Sequence, residues 1–279
     1  MRNALAAEAL LMRKRLAPLV VGGTWIVLVV AFGFGVPYIV YATLDPVTKA
    51  ADRAALLDLL LPSAAHTTAA GSYPLFGGAI MLILGVLVTG PEYRWGTWPA
   101  RLSQGPGRTQ VVLAKVLAGA VVVVVIAVAA LAASMVTSVV VALVEGQPLT
   151  WPAAGAVAAS LGVAVFISVA WLSLGAALGV IFRGVGTALG VGLVWTLGLE
   201  NALSGLAGVV PALEPVRAVL LGPASGSLVA ALGVPSLSEG GAVGVGEYMS
   251  GPVACAVLLA YTAAGLAVAT VLIRRRDIT

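Results

Sequence analysis

The sequence has little of what a soluble enzyme uses: it has few charges, one cysteine and one histidine. Charged residues make up 9% of its 279 residues and hydrophobic residues 61%, whereas an ordinary soluble domain is about 25% charged. The one cysteine, Cys255, lies in an apolar run, which excludes an intramolecular disulfide and a thiolate metal cluster. The one histidine, His66, has no second histidine with which to share a metal. These shortages indicate an integral membrane protein without a metal site.

Sequence motifs for nucleotide chemistry and for hydrolysis are missing as well. No Gly-x-x-x-x-Gly-Lys-Ser/Thr sequence occurs, so the chain cannot hold nucleotide phosphates in a P-loop. With one histidine far from any nucleophile elbow, a Ser/His/Asp set is not available, which argues against a membrane-embedded hydrolase. The net charge of +4 is small and its cations flank apolar runs, which argues against nucleic-acid binding.

Six apolar runs are long enough to cross a bilayer, which takes about 20 helical residues. They cover residues 19–41, 68–89, 110–144, 151–182, 185–203 and 252–273. The third run would form a helix of about 50 Å, which exceeds a hydrocarbon core of about 30 Å. Its first turns, with Lys115, must therefore project beyond the core or tilt. We predict an all-α polytopic membrane protein in which one membrane domain, residues 1–279, has six transmembrane helices.

Two segments outside these runs have helical patterns of their own. Residues 1–17 predict an interfacial helix whose cations face anionic headgroups; a cleaved signal peptide is the competing interpretation, but the run that follows is longer than a signal core. Residues 204–251 carry four prolines between apolar pieces too short to cross the bilayer. That segment therefore predicts short re-entrant or interfacial helices on the outer side.

Lysine and arginine near span ends resist translocation, so their distribution predicts the orientation. With both termini cytoplasmic, 12 of the 15 cations fall on the inner side. The inner cations are Arg2, Arg13, Lys14, Arg15, Arg94, Arg101, Arg108, Lys115, Arg183, Arg274, Arg275 and Arg276, and the outer ones are Lys49, Arg53 and Arg217. We therefore predict a cytoplasmic loop, residues 91–108, between the second and third spans.

The cytoplasmic loop carries a pattern that resembles the ABC-2 type transporter permeases. A glutamate after a span, a Gly-Thr pair, a Leu-Ser turn with Pro and Arg, and a Lys that opens the next span make up the pattern. The matching residues are Glu92, Gly96, Thr97, Leu102, Ser103, Pro106, Arg108 and Lys115. If the loop is helical, Trp95, Trp98 and Leu102 would share one face and rest in the headgroup layer.

The resemblance implies the membrane subunit of an ATP-driven exporter in a bacterial cell membrane, with two cytoplasmic ATPase subunits, a second permease copy and surrounding lipid as partners. ATP and magnesium would bind to the ATPase, and this chain would hold no cofactor and no metal. The loop would be the coupling helix, and short re-entrant helices would lie between the fifth and sixth spans. The residues that would dock on the ATPase are Glu92, Tyr93, Arg94, Gly96, Thr97, Arg101 and Arg108.

Polar and aromatic residues within the spans are candidates for a substrate path. They are Phe32 and Tyr38 in the first span and Trp195, Glu200 and Asn201 in the fifth. Glu200 near a span end also fits a residue at the membrane interface. The low charge and the aromatic first span favour a lipophilic or amphiphilic substrate such as a drug, antibiotic, peptide or lipid. The alternative is a stand-alone secondary carrier or channel, which would need an ion-coupling group that only Glu200 with Asn201 could supply.

Overall fold

The structure is a computed structural model that describes residues 2–98 and 107–275. Nine helices make up most of it: α1 (Arg2–Lys14), α2 (Leu16–Thr43), α3 (Ala50–Leu60), α4 (Ala65–Arg94), α5 (Arg108–Val144), α6 (Ala154–Ile181), α7 (Val185–Ala207), α8 (Leu221–Ala230) and α9 (Gly251–Arg275). Short helical turns at Pro211–Leu213, Glu214–Arg217 and Leu237–Glu239 lie between α7, α8 and α9. One π-helical stretch interrupts each of α2, α4 and α7, at Ala31–Gly35, Tyr73–Gly77 and Val194–Leu199 respectively.

Six of these helices, α2, α4, α5, α6, α7 and α9, are long and apolar enough to cross a membrane. The prediction of an all-α polytopic membrane protein with six spans is therefore confirmed. The second span extends further than its apolar run indicated, from Ala65 to Arg94 instead of 68–89. Pro91 lies in the first turn of the added piece, where a proline needs no backbone N–H partner, so the helix continues into the predicted loop.

The centre of the bundle is α6, which packs along α4 and α9. Glycines allow the backbones to meet: a Cβ on Gly175 would contact the Leu82 carbonyl oxygen, and a Cβ on Gly85 would contact that of Leu172. A Cβ on Gly265 of α9 would likewise contact the carbonyl oxygen of Ser173 on α6. Gly179, four residues after Gly175, also faces α4, since a Cβ there would meet Thr89; this small-xxx-small spacing allows the close approach of the two helices.

The segment between α7 and α9 folds back onto the bundle. Nearly all of α8 is buried, and it packs on α9 and on the π-helical stretch of α4. Ten residues of helix rise about 15 Å, so α8 cannot cross a membrane. A Cβ on Gly226 would contact the carbonyl oxygen of Gly244, so the loop after α8 lies directly against it. The predicted short helix is present, and its re-entrant placement in the bilayer stays a prediction.

The two ends of the bundle differ in chemistry. At one end, which we call the basic end, an apolar cluster of Trp98, Val111, Val112, Val180, Ala269 and Ile273 is surrounded by cations that include Arg15, Arg94, Arg108, Arg183 and Arg274. At the opposite end, Phe34, Leu60, Ala65 and Val141 form a smaller cluster. The helix α5 contributes Val111 and Val112 to the first cluster and Val141 to the second, so the two clusters lie at opposite ends of this helix.

Candidate functional site

The last turn of α4 and the residues after it lie at the basic end; we call residues 91–98 the elbow. The helix ends at Arg94, and Gly96 reverses the chain with a φ of +58°, a conformation that glycine adopts without strain. The tip of the elbow is Arg94, Trp95 and Gly96, and the Trp95 side chain is 72% exposed. The Arg94 guanidinium lies 5.8 Å from the centre of the Trp95 ring. The tip therefore offers a cation and an indole to the surroundings.

Beneath this tip, Glu92 is buried and fully engaged, with 1% of its surface exposed. Its Oε1 accepts hydrogen bonds from Lys115 Nζ at 2.9 Å and from Arg15 Nη2 at 2.9 Å. Its Oε2 accepts a hydrogen bond from the Thr97 hydroxyl. A buried carboxylate is tolerated only when its oxygens are paired in this way.

Lys115 is the buried cation at the centre of the site. Its side chain has no exposed surface, and besides Glu92 it contacts Oε2 of the buried Glu8 at 3.2 Å. Its Nζ also lies 5.7 Å from the centre of the Trp98 ring, within the range of a cation–π contact. Glu8, Arg15, Glu92 and Lys115 together form what we call the ion-pair network.

The ion-pair network joins four parts of the chain that lie far apart in sequence. Glu8 belongs to α1, Arg15 to the junction of α1 and α2, Glu92 to the elbow and Lys115 to α5. Two carboxylates and two cations give it no formal net charge. Because each buried charge depends on its partners, displacement of one part forces the others to move or to leave a charge unpaired. The four side chains therefore connect α1, the start of α2, the elbow and α5 to one another.

Trp98 fastens the base of the elbow to three spans, and Arg108 ties two of these spans, α5 and α9, together. Trp98 is 1% exposed and packs in the apolar cluster of the basic end, with the Tyr93 ring 5.7 Å away. Arg108 donates from Nη1 to the carbonyl oxygens of Ile273 at 3.1 Å and Arg274 at 3.4 Å. A cation at the last carbonyls of a helix is favourable because those groups are without intrahelical donors. The elbow thus rests on α5, α6 and α9.

The structure separates the predicted docking residues into three groups. Arg94 and Gly96 are exposed at the tip, Tyr93, Thr97 and Arg108 are half-buried, and Glu92 is buried. Arg101, with Leu102, Ser103 and Pro106 of the family pattern, lies outside the described residues. The shared face predicted for Trp95 and Trp98 is wrong: one indole is exposed and the other buried, because Gly96 interrupts the helix between them.

Sequence reasoning missed two members of the network, Glu8 and Arg15. The interfacial helix predicted for residues 1–17 has the side chains of Arg13, Lys14 and Arg15 facing lipid headgroups. In the structure, Arg15 points inward to Glu92. A signal was available in the sequence: Glu8 and Glu92 are isolated acids beside stretches rich in arginine and lysine. Isolated acids in apolar, basic surroundings require partners, which are the two cations found here.

The predicted substrate-path residues of α2 and α7 do not meet in one cavity. Phe32 contacts the Phe76 ring, with centroids 5.2 Å apart, and the Tyr38 hydroxyl donates to Glu145. On α7, Trp195 and Asn201 are exposed, whereas Glu200 is 2% exposed. These three residues therefore do not share one face, and a substrate path through any of the five stays a prediction.

Glu200 has a structural partner at the start of α8. Its Oε1 accepts the backbone N–H of Gly222 at 2.6 Å, at the start of α8. The first N–H groups of a helix have no intrahelical acceptor, so a carboxylate is stabilising there. Glu200 thus ties α7 to α8, and its position at the membrane interface stays a prediction.

At the opposite end, two tyrosines hold the turn after α5, and this gives a test by pH. Tyr41 donates to Glu145 Oε2 at 2.6 Å and Tyr38 to Oε1 at 2.8 Å, and these bonds hold the pKa of Glu145 below its ordinary value of 4.5. A carboxyl whose pKa is depressed by folding stabilises the fold above its unfolded pKa and loses that contribution as pH falls through its folded pKa. We expect Tyr41→Phe to reduce the difference in melting temperature between pH 7 and pH 3.5.

The control for this prediction is Glu145→Gln, which removes the titrating group altogether. Glu145→Gln should decrease the difference in melting temperature between pH 7 and pH 3.5 at least as much as Tyr41→Phe does. An unchanged pH dependence in both variants would contradict the assigned role of these hydrogen bonds.

Comparison with known protein families identifies the family of this chain. A family model described as ABC-2 family transporter protein matches residues 14–278, which includes all six spans, the elbow, Arg15, Glu92 and Lys115. Glu8 precedes the matched region. No protein with a curated description matches the sequence.

Proposed function

Since this chain belongs to the ABC-2 family of transporter proteins and is a multi-pass membrane permease, we propose that it is the membrane subunit of an ATP-driven exporter whose elbow docks on a separate cytoplasmic ATPase. ATP and magnesium bind to that ATPase. The chain itself contributes the membrane path and the docking surface. One observation carries the proposal: an exposed tip stands on a buried ion-pair network that links it to α1, α2 and α5.

The orientation in the proposal follows from the chemistry of the two ends. Among the described residues, the cations Arg94, Arg183 and Arg274 lie at the basic end, as do the network cations Arg15 and Lys115. Cations near span ends keep a segment on the cytoplasmic side. The basic end then faces the cytoplasm, with both termini inside, and the membrane is the bacterial plasma membrane.

Docking in this proposal uses the tip and not the buried carboxylate. Arg94, Trp95 and Gly96 contact the ATPase directly, because an exposed arginine and tryptophan are favoured anchors in protein interfaces. Tyr93, Thr97, Arg101 and Arg108 contribute at the rim. Glu92 acts from inside by holding the elbow rigid, so that displacement of the tip is passed to Lys115 and Arg15.

The transport step requires a second permease copy, and the exposed face of α7 supports a homodimer. Gly186 and Gly190 lie four residues apart on α7, and no atom of another described element lies within 4 Å of a Cβ at either position. Such spacing allows close approach of another helix. Closure of two ATPase subunits would then move the two bundles relative to each other and open a path for a lipophilic or amphiphilic substrate such as a drug, antibiotic, peptide or lipid.

Cross-linking from the tip tests docking and orientation together. In a Cys255→Ala background, cysteine is placed at Arg94 or Trp95 of the tagged permease in its native host. A cross-linker with one maleimide and one amine-reactive group is then added to inverted membrane vesicles, and adducts are identified by mass spectrometry. We expect an ABC ATPase to be cross-linked from either position, because the tip is exposed and fixed.

The matched control is Leu149→Cys, an exposed position in the turn at the opposite end. It should form no adduct with an ATPase. Recovery of an ATPase from position 149 but not from 94 or 95 would reverse the orientation. Transport that persists after ATP depletion, with no ATPase recovered from any position, would favour a stand-alone carrier and contradict the proposal.

A further inference from the structure

An apolar cavity of about 250 Å³ lies on the flank of the bundle, away from the elbow. Its walls are α2, α3, α4 and the loop after α8. The apolar side chains that line it most directly are Phe32, Val36, Leu56, Leu59, Leu75 and Phe76. The ion-pair network shares no residue with it, so its occupant is a question separate from ATPase docking.

The hydroxyl groups that line this cavity are all engaged with the backbone. Thr67 donates to the Ala64 carbonyl oxygen at 2.7 Å, Thr68 to that of Leu59 at 2.7 Å, and Ser72 to that of Thr68 at 3.4 Å. No charged side chain lines the cavity among the described residues. An apolar cavity of about 150 Å³ stays free of water and takes up hydrocarbon. This larger cavity therefore suits a hydrocarbon ligand that needs no polar partner.

The cavity reaches the lipid-facing surface of α2. Phe32 and Val36 belong to its lining, and they are 49% and 47% exposed on the outside of the bundle. A ligand can therefore enter sideways from the hydrocarbon of the bilayer. It need not pass between the spans.

The helix α3 indicates where the cavity lies along the membrane normal. Leu56 and Leu59 line the cavity, whereas Asp52 and Asp58 on the same helix are exposed. Because α3 connects the ends of the spans α2 and α4, its exposed charges lie outside the hydrocarbon. The cavity therefore opens close to the edge of the hydrocarbon layer, where the acyl chains of a lipid leaflet begin.

We propose that this cavity is a binding site for one acyl chain of a bilayer lipid, whose headgroup lies beside the exposed charges of α3. The engaged hydroxyls, the lateral opening and the position next to α3 each favour a chain that enters from the leaflet. The bound chain fills space between α2, α3 and α4 and so stabilises the packing of these helices. The site does not depend on the proposed export function.

A cavity-filling variant tests this site. A Cβ on Gly33 would lie 3.5 Å from Thr68 Cγ2 and 3.6 Å from Ser72 Oγ, so Gly33→Leu adds a side chain toward the cavity without a backbone clash. The permease is reconstituted in phosphatidylcholine vesicles with a trace of phosphatidylcholine that carries a diazirine in one acyl chain. After illumination, labelled residues are mapped by mass spectrometry. We expect labelling at residues 67–76 in the native chain and about tenfold less in Gly33→Leu, because a filled site has no room for a chain.

Two controls separate the site from bulk lipid contact. Gly23→Leu makes the same substitution on the same helix at a position with open space around it, and should leave labelling of 67–76 unchanged. Val121 and Val125 on the outside of α5 report ordinary contact with the bilayer and should be labelled equally in all variants. Equal labelling of 67–76 in Gly33→Leu and the native chain would overturn the proposal, as would an equal loss in Gly23→Leu.

A second cavity-filling variant is used if Gly33→Leu proves to be destabilised. If Gly33→Leu lowers the melting temperature below that of Gly23→Leu by more than a few degrees, Leu56→Trp fills the cavity from α3 instead. The same loss of labelling is expected. If neither filled variant loses labelling, the labelled residues meet bulk lipid and the site is excluded.

Discussion

Replacement of Lys115 by methionine is expected to destabilise the permease by about 3–5 kcal/mol, because the buried carboxylates of Glu8 and Glu92 then lose the cation that they share. The side chain has no exposed surface and contacts both Glu8 and Glu92. Water cannot easily replace the lost ammonium group at such a site. The loss is measured as a lower midpoint of thermal inactivation in detergent and a lower yield of the ATPase cross-link from position 95.

Two further variants show whether the charge itself is responsible. Arg94→Met removes an exposed cation of the same elbow and should change stability by no more than about 1 kcal/mol. Combination of Lys115→Met with Glu92→Gln and Glu8→Gln should recover most of the lost stability, because neutral groups carry a smaller cost of burial. A single Lys115→Met variant as stable as the native chain would refute the role of the network.

The second large effect is expected from Gly175→Ala at the crossing of α4 and α6. The added methyl group would contact the carbonyl oxygen of Leu82. A backbone atom cannot turn aside as a side chain can, so the two central helices must separate. We expect destabilisation of about 3 kcal/mol, at the upper end for an overpacked core, measured as a lower melting temperature and loss of the monodisperse peak in size-exclusion chromatography.

Gly162→Ala provides the matched comparison on the same helix. No atom lies near the position of its Cβ, and alanine is favoured over glycine within a helix by about 0.5–1 kcal/mol. This variant should be as stable as the native chain or slightly more so. If both substitutions behave alike, the tight crossing of α4 and α6 is not what holds the centre together.

The number and class of the spans could be read from the sequence because the membrane imposes a simple rule. Backbone polar groups have no water partner in hydrocarbon, so a spanning segment must be helical and about 20 residues long. The apolar runs met this rule, and the fold has the six expected helices. The predicted ends of the spans were less accurate, because a helix end depends on local capping more than on hydropathy. The helix α4, for example, continues to Arg94.

The position of the elbow was also predictable, since a charged stretch between two apolar runs has to leave the membrane. Its internal arrangement was not. A helical pattern would have placed Trp95 and Trp98 together, but the positive φ of Gly96 turned them to different surroundings. Likewise, its isolation in the sequence indicated that Glu92 needs a cationic partner, but not that this partner is Lys115 and Arg15 within the chain instead of a group on another protein.

The sequence by itself determined that this protein is a helical membrane protein with six spans, a basic end and a charged elbow, because length, hydropathy and charge act locally along a chain. Tertiary structure alone decided which charges are buried together and which are left exposed. Arg15 and Glu92 are 77 residues apart in sequence, and Glu8 and Lys115 are 107 apart. Such pairs form because packing of distant helices excludes water from both partners, and no local pattern records that event.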